Sequence, residues 1–131
     1  MEAWRHITLT DVPWQVLDTR DGVSVKPLGE SSDAGPPVMQ VRFEPNYVEP
    51  PHWHKVDTLY VITAGELSVG AEGVYRVGDV RWVRAGTYYG PEEAGPDGCE
   101  FLLAGMSEAS LDDSLSYDAS TAARTGALRA T

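Results

Sequence analysis

The sequence contains a single cysteine, Cys99, so no disulfide can form within the chain. It has no apolar run of membrane-spanning length and no N-terminal basic-then-apolar segment of the secretory type. Basic residues are scarce as well, because ten Lys and Arg stand against twenty Asp and Glu, a formal net charge of -10. Such a chain repels nucleic acid phosphates and anionic lipids. We therefore expect a soluble, cytoplasmic protein without nucleic acid or membrane partners.

Short runs rich in Val, Tyr, Trp and Thr recur along the chain, separated by Gly, Pro, Asp or Asn, which predicts many short strands. The candidate strands are 23–28, 38–44, 58–63, 66–69, 74–77, 80–84, 87–89 and 99–104. The intervening glycines are too closely spaced for helices, so we expect hairpins and an antiparallel sheet. The polar segments 30–37 and 90–98 are predicted loops that could overhang a pocket mouth.

With 131 residues, 42% of them hydrophobic, the chain has material for one core. The strand pattern stops after Met106, where the sequence becomes rich in Ser, Asp and Ala. We predict a single β-barrel domain over residues 1–105, including N-terminal strands, followed by a C-terminal tail or short helix over residues 106–131.

Two of the three histidines stand one residue apart, directly after two prolines. Side chains alternate along a strand, so His52 and His54 should point to one side and Trp53 to the other. Imidazole binds Zn, Fe, Ni, Cu and Mn, and an enzyme site would need at least one more protein ligand beside this pair. We interpret His6, near the chain start, as structural.

The pair resembles the first motif of the cupin superfamily, which reads Gly, five residues, His-x-His, three or four residues, Glu, six residues, Gly. His52, His54 and Gly65 stand at the matching positions. The second cupin motif, Gly, five residues, Pro-x-Gly, two residues, His, three residues, Asn, is similar to the segment in which Gly78 and Gly86 match. The resemblance implies an all-β fold: a small, single-domain jelly-roll β-barrel of antiparallel strands with little helix.

The metal motif is degenerate, although the resemblance extends over about residues 38–104. Thr58 stands at the family's glutamate and Arg84 at its proline. Tyr89 replaces the histidine of the second motif, and Glu93 replaces its asparagine. Of the usual three histidines and one glutamate, two histidines remain.

Three side chains are candidates for a further metal ligand. Tyr89 is the first, because a phenolate can bind iron, provided that the metal displaces a proton whose ordinary pKa is near 10. If Thr87 faces inward, Tyr89 does so too, while Tyr88 faces away. Asp57 could serve after a register slip and Glu72 is more distant, unless both are ordinary solvated turn residues.

Three functions remain open. The resemblance implies a metal-dependent enzyme, in which His52, His54 and Tyr89 hold a divalent Fe, Zn, Ni or Mn ion; this would be an oxidoreductase, dioxygenase-like, acting on a ketone, enol or aromatic substrate. The second is a metal-free isomerase, epimerase, cyclase or dehydratase with His54 or His52 as base and Tyr89 as acid. The third is a barrel that binds a small molecule without turnover.

Several strand residues are candidates for the wall of an apolar pocket. They are Met39, Phe43, Tyr60, Tyr75, Trp82 and Phe101. An inward arginine among Arg42, Arg81 and Arg84 could hold a carboxylate or enolate oxygen of the substrate. The apolar N-terminal segment 4–14 could lie across a neighbouring subunit, so we expect a homodimer.

Overall fold

The computed structural model describes residues 3–29 and 36–106. Eight strands follow a 3-10 turn at Leu9–Asp11: β1 (Gln15–Val16), β2 (Val23–Leu28), β3 (Val38–Phe43), β4 (Val48–Glu49), β5 (Asp57–Val69), β6 (Gly73–Arg76), β7 (Val80–Val83) and β8 (Glu92–Met106). All pairings between strands are antiparallel, which confirms the all-β expectation. No helix among the described residues has the length and apolar character needed to cross a membrane.

Two long strands, β5 and β8, pair along most of their length at the centre of the sheet. They pair from Asp57 and Met106 at one end to Val69 and Glu92 at the other, with two irregularities near the middle. Gly65 lies at one of them with φ of 67°, and a Cβ there would collide with a backbone carbonyl of β8. Only glycine combines this conformation with so close an approach, so the strands can bend here and the sheet can curve.

The remaining strands complete a curved sheet in the order β1-β2-β3-β8-β5-β6, with β4 beside the start of β8 and β7 beside the start of β5. Alternate residues of these strands turn apolar side chains to the inside. The buried cluster includes Val25, Val41, Phe43, Ile62 and Phe101. Burial of this apolar face is the main stabilising term of the fold.

Two predictions about the chain between 87 and 98 are wrong. The predicted loop 90–98 lies largely within β8, and the predicted strand 87–89 is reduced to one isolated bridge between Tyr89 and His52. The buried positions at the start of β8 are Glu92 and Ala94, which do not form an apolar run. The predicted strands 58–63 and 66–69 are one strand, β5. Of the predicted loop 30–37 and the predicted tail, residues 30–35 and 107–131 lie outside the described residues.

Candidate functional site

The histidine pair is held by two short backbone segments that lie side by side. His52 and Tyr89 exchange N–H to C=O bonds of 2.9 and 3.0 Å, and the Gly86 N–H donates to the His54 carbonyl at 2.9 Å. Both imidazoles line one cavity, whereas Trp53 is exposed, as the alternation predicted. The two rings are perpendicular, with centroids 5.0 Å apart.

The cavity has a volume of about 220 Å³ and is walled mainly by aliphatic and aromatic side chains. Four predicted wall residues are confirmed: Met39, Phe43, Tyr60 and Phe101. Trp82 is 61% exposed, so its predicted place in the wall is wrong. Strand β7 turns Arg81 and Val83 inward, and alternation therefore sends Trp82 outward. The sixth candidate, Tyr75, is not among the lining residues and packs against the core elsewhere.

A chain of hydrogen bonds runs from the histidine pair into the core. The Tyr89 hydroxyl lies 2.9 Å from Nε2 of His52 and 2.5 Å from the Tyr60 hydroxyl. Nδ1 of His52 donates to the Pro50 carbonyl at 2.9 Å, so in the neutral ring Nε2 accepts from Tyr89. Burial raises the pKa of Tyr89 to about 12, and it raises the pKa of Tyr60 as well. Both phenols therefore carry their protons at neutral pH.

A buried ion pair lies against this chain. Glu92 is 1% exposed and lines the cavity, with one carboxylate oxygen 3.8 Å from Nε2 of His52 and the other 3.4 Å from Nη1 of Arg81. Arg81 is 3% exposed, and it forks onto Glu72 with bonds of 2.8 and 2.7 Å. Its guanidinium carbon lies 4.4 Å from the centroid of the Tyr89 ring. Burial raises the pKa of Glu92, whose carboxylate is partly compensated by these neighbours.

The His54 imidazole makes no hydrogen bond with the described residues. Its Nε2 is buried. Burial lowers the pKa of His54, and the positive charges of His52 and Arg81 lower it further. At neutral pH the ring is therefore neutral, and in the tautomer that carries its proton on Nδ1 the Nε2 lone pair can accept a proton or bind a ligand.

The side chains at this site do not provide the donor set of a metal centre. The described residues contain no group of three His, Cys, Asp or Glu side chains arranged to hold a metal ion. Nε2 of His52 is bonded to Tyr89, whose raised pKa opposes the phenolate that a metal ligand requires. Glu92 is paired with Arg81, so among the described residues of the site the His54 imidazole is the candidate ligand that makes no hydrogen bond.

The other carboxylates considered as ligands lie away from the cavity. Asp57 accepts a 2.8 Å bond from the Ala85 N–H, and Glu72 is held by Arg81 and by the Tyr75 hydroxyl. Neither lines the cavity. Arg81 is the inward arginine, but it binds the protein's own carboxylates, while Arg42 is half-exposed and Arg84 is exposed.

Sequence reasoning missed Glu92, because it was assigned to a turn-rich loop. The signal that could have found it is the alternation of Glu92 and Ala94 with the exposed Glu93, which continues the strand pairing of β8. A second acidic residue, Glu49, also lines the cavity, where it is 4% exposed and pairs with Arg20 and the Tyr47 hydroxyl.

A curved antiparallel barrel around a cavity with an inward His-x-His pair defines a cupin. The chain belongs to this superfamily, because the model of the ChrR cupin-like domain family matches residues 3–104. Solved structures agree on the fold. KdgF from Halomonas sp. has a TM-score of 0.62 at 21% identity, over 83% of this chain and 100% of that chain.

Two further structures are similar to the chain at the level of fold. The polyketide cyclase RemF from Streptomyces resistomycificus has a TM-score of 0.63 at 20% identity, over 78% of this chain and 79% of that one. A candidate acetylacetone dioxygenase from Methylibium petroleiphilum PM1 has a TM-score of 0.66 at 18% identity, over 80% and 78%. No curated protein matches the chain at a significant level.

Proposed function

We propose that this cupin is a metal-independent acid–base enzyme that isomerises or cyclises a small ketone or enol. The observation that carries the proposal is the buried, unpartnered Nε2 of His54 in the cavity wall, beside a second imidazole already engaged in a hydrogen-bond chain. A neutral imidazole with a free lone pair is suited to general base catalysis near neutral pH. The lowered pKa of His54 keeps the ring neutral, so one of its nitrogens carries a lone pair.

The proposed reaction begins with proton removal by His54. The C–H bond next to a carbonyl breaks, the proton moves to Nε2, and the electron pair is delocalised onto the carbonyl oxygen. The acid is the Tyr60 hydroxyl, which belongs to a residue of the cavity wall and is backed by Tyr89 and His52. When His52 is protonated, it donates to Tyr89, and Tyr89 in turn donates to Tyr60, so the Tyr60 O–H is free to donate to the substrate oxygen. When His52 is neutral, it accepts from Tyr89, and the direction of these hydrogen bonds is reversed.

The reaction needs no other reactant. Transfer of the proton from His54 to a different carbon, with return of the oxygen proton to the tyrosine chain, completes an isomerisation in which atoms and electrons balance. A cyclisation follows if the enol carbon attacks a second carbonyl of the same substrate, and loss of water afterwards gives a cyclase or dehydratase outcome. Tyr89 thus acts through Tyr60 and is a positioning and relay residue in this proposal.

The cavity favours a neutral, largely apolar substrate. Its buried carboxylates, Glu49 and Glu92, are each paired with an arginine, so among the described residues no uncompensated positive charge faces an anionic substrate. The 220 Å³ volume and the aliphatic and aromatic wall suit one or two small rings. The similarity to RemF and to the acetylacetone dioxygenase candidate is consistent with ketone substrates, although at this identity it supports the fold alone.

The alternative hypothesis is a metal-dependent, dioxygenase-like oxidoreductase, and it is supported by the proximity of the two imidazole rings. It would require Tyr89 to release His52 and lose its own proton, against the pKa shift of that phenol. The third hypothesis, binding of a small molecule without turnover, does not explain why the His54 imidazole is buried without a hydrogen bond among the described residues. The proton-transfer proposal accounts for His54 and for the tyrosine chain together.

The test is hydrogen exchange into acetophenone and cyclohexanone in D₂O at neutral pH, followed by NMR in the presence of a chelator. We expect the parent protein to accelerate exchange of the protons next to the carbonyl, and His54→Gln to lose about 10²-fold or more of the acceleration. His6→Gln is the matched control, because His6 is exposed and lies outside the cavity. Equal rates in parent and His54→Gln would refute the role of His54.

A further inference from the structure

The face of the sheet opposite to the cavity carries a second concave site. Val25 and Val41 line the cavity, so alternation sends Lys26 and Gln40, which are cross-strand partners, to the other face. The N-terminal segment covers them there, and its Leu9 carbonyl accepts a 2.7 Å bond from the Lys26 ammonium. A groove of about 570 Å³ lies between this segment and the sheet, and none of its lining residues lines the cavity.

Two buried polar groups in this groove lack partners that burial ordinarily requires. Lys26 is 6% exposed, yet its ammonium contacts only the Leu9 carbonyl and, at 4.6 Å, the Trp14 ring among the described residues. Gln40 is also 6% exposed, and its Oε1 has no hydrogen-bond partner in the described part of the chain. A buried cation without a counter-charge and a buried amide oxygen without a donor are both costly in free energy. A ligand that brings a negative charge to Lys26 and a hydrogen-bond donor to Gln40 would remove this cost.

The charges of the groove select an anion. Arg42 is neutralised through Nε by Glu100 at 2.9 Å, and its guanidinium lies 4.0 Å from the centroid of the Trp14 ring. Among the described residues Lys26 is therefore the uncompensated charge, and the residues that line the groove carry one net positive charge on a chain with a net charge of -10. A carboxylate would accept from the N–H groups of the Lys26 ammonium that the Leu9 carbonyl leaves unused.

We propose that this groove binds a small-molecule carboxylate with an N–H or O–H donor next to the carboxylate, as in N-acylamino acids or 2-hydroxy acids. The carboxylate pairs with Lys26, and the neighbouring donor bonds to Oε1 of Gln40. Directly opposite residues on antiparallel strands have Cβ atoms about 5 Å apart, so one small molecule can reach both. Trp14 forms part of the wall that shields the ion pair from water.

The experiment is a titration of the full chain with N-acetylglycine, followed by ¹H–¹⁵N NMR of the Trp14 indole and the Gln40 side-chain amide. We expect saturable shifts of both signals with the parent protein. The neutral analogue N-acetylglycinamide and sodium chloride at equal ionic strength should leave the signals in place. Lys26→Met should weaken binding at least tenfold, whereas Lys55→Met, which removes an exposed lysine, should bind like the parent.

We expect Lys26→Met and Gln40→Leu to fold. Removal of an unpaired buried charge leaves the fold intact or stabilises it, which the NMR spectrum itself reports. Gln40→Leu should bind acetate and N-acetylglycine equally, because the donor next to the carboxylate then has no acceptor. Unchanged binding in Lys26→Met, shifts confined to the cavity residues, or the absence of saturation with the parent would each overturn the proposal.

Discussion

Replacement of Arg81 by leucine tests the buried charges behind the histidine pair. The side chains of Arg81 and Glu92 are each 2% exposed, so water cannot replace the arginine at Glu92. Glu72, whose side chain is 36% exposed, can be solvated instead. Removal of one partner of a buried ion pair ordinarily costs about 3–5 kcal/mol, because the remaining charge is left uncompensated. We expect Arg81→Leu to lower the free energy of unfolding by this amount.

The assay is urea unfolding at pH 7.5, followed by tryptophan fluorescence and by circular dichroism. Arg84→Leu is the matched control, since Arg84 is an exposed arginine close by in sequence, and it should change stability by no more than about 0.5 kcal/mol. The double variant Arg81→Leu/Glu92→Leu should recover most of the loss, because both charges are then absent and an apolar pair can pack in their place.

The pH dependence supplies a second check. Burial raises the pKa of Glu92, so the folded state takes up a proton at a pH where the unfolded chain does not. Without Arg81 this effect should grow, and the deficit of Arg81→Leu should shrink as the pH falls from 7.5 toward 5. A loss below about 1 kcal/mol, or a double variant less stable than Arg81→Leu, would refute the reasoning that the pair is buried and mutually dependent.

Three other outcomes follow from the site. Tyr89→Phe should lower ketone proton exchange about 10²-fold with little change in folding, as measured by NMR in D₂O, and an unchanged rate would remove Tyr89 from the relay. The folded-state pKa of His54 is lowered, so stability should fall as the pH decreases below about 6.5, and His54→Gln should reduce this fall in urea titrations at pH 7.5 and 5.5. Gly65→Ala should be strongly destabilising in the same assay, because its Cβ meets the Gly98 carbonyl at positive φ, and a wild-type midpoint would contradict the tight approach of β5 and β8.

The fold could be predicted from the sequence wherever one face of a strand is continuously apolar. The predicted bounds of β2 agree with the structure, and those of β3 and β7 differ by one residue, because Val, Phe and Trp alternate or cluster there between turn residues. The first half of β8 could not be predicted in this way. Its inward positions are Glu92 and Ala94, and it contains Pro96 and Gly98, which ordinarily indicate a turn.

The candidate site was predicted in part. The inward direction of His52 and His54 followed from the two-residue period of a strand, and the nearness of Tyr89 followed from the cupin motif order. The burial of Glu92 depends on Arg81, which lies on another strand, and no local pattern encodes that partnership. The catalytic roles of His54 and Tyr89, binding of Fe, Zn, Ni or Mn at His52, His54 and Tyr89, the homodimer and the cytoplasmic location remain predictions.

The N-terminal segment illustrates the same limit. Its apolar composition indicated a surface that packs on something, and in the structure Trp14 and the Leu9 carbonyl contact Lys26 and Arg42 of the same chain. Composition alone cannot distinguish a segment that packs on its own sheet from one that packs on a neighbour. The choice is made by specific contacts between residues distant in sequence.

We propose that proton transfer at this site needs no metal. The most direct test is elemental analysis of protein purified without an affinity tag, combined with the ketone exchange rate of the same sample before and after chelation and dialysis. We predict far less than one metal ion per chain and an exchange rate unaffected by chelation. Stoichiometric Fe, Zn, Ni or Mn that is lost in His52→Ala/His54→Ala, together with an exchange rate that falls when the metal is removed, would contradict this proposal.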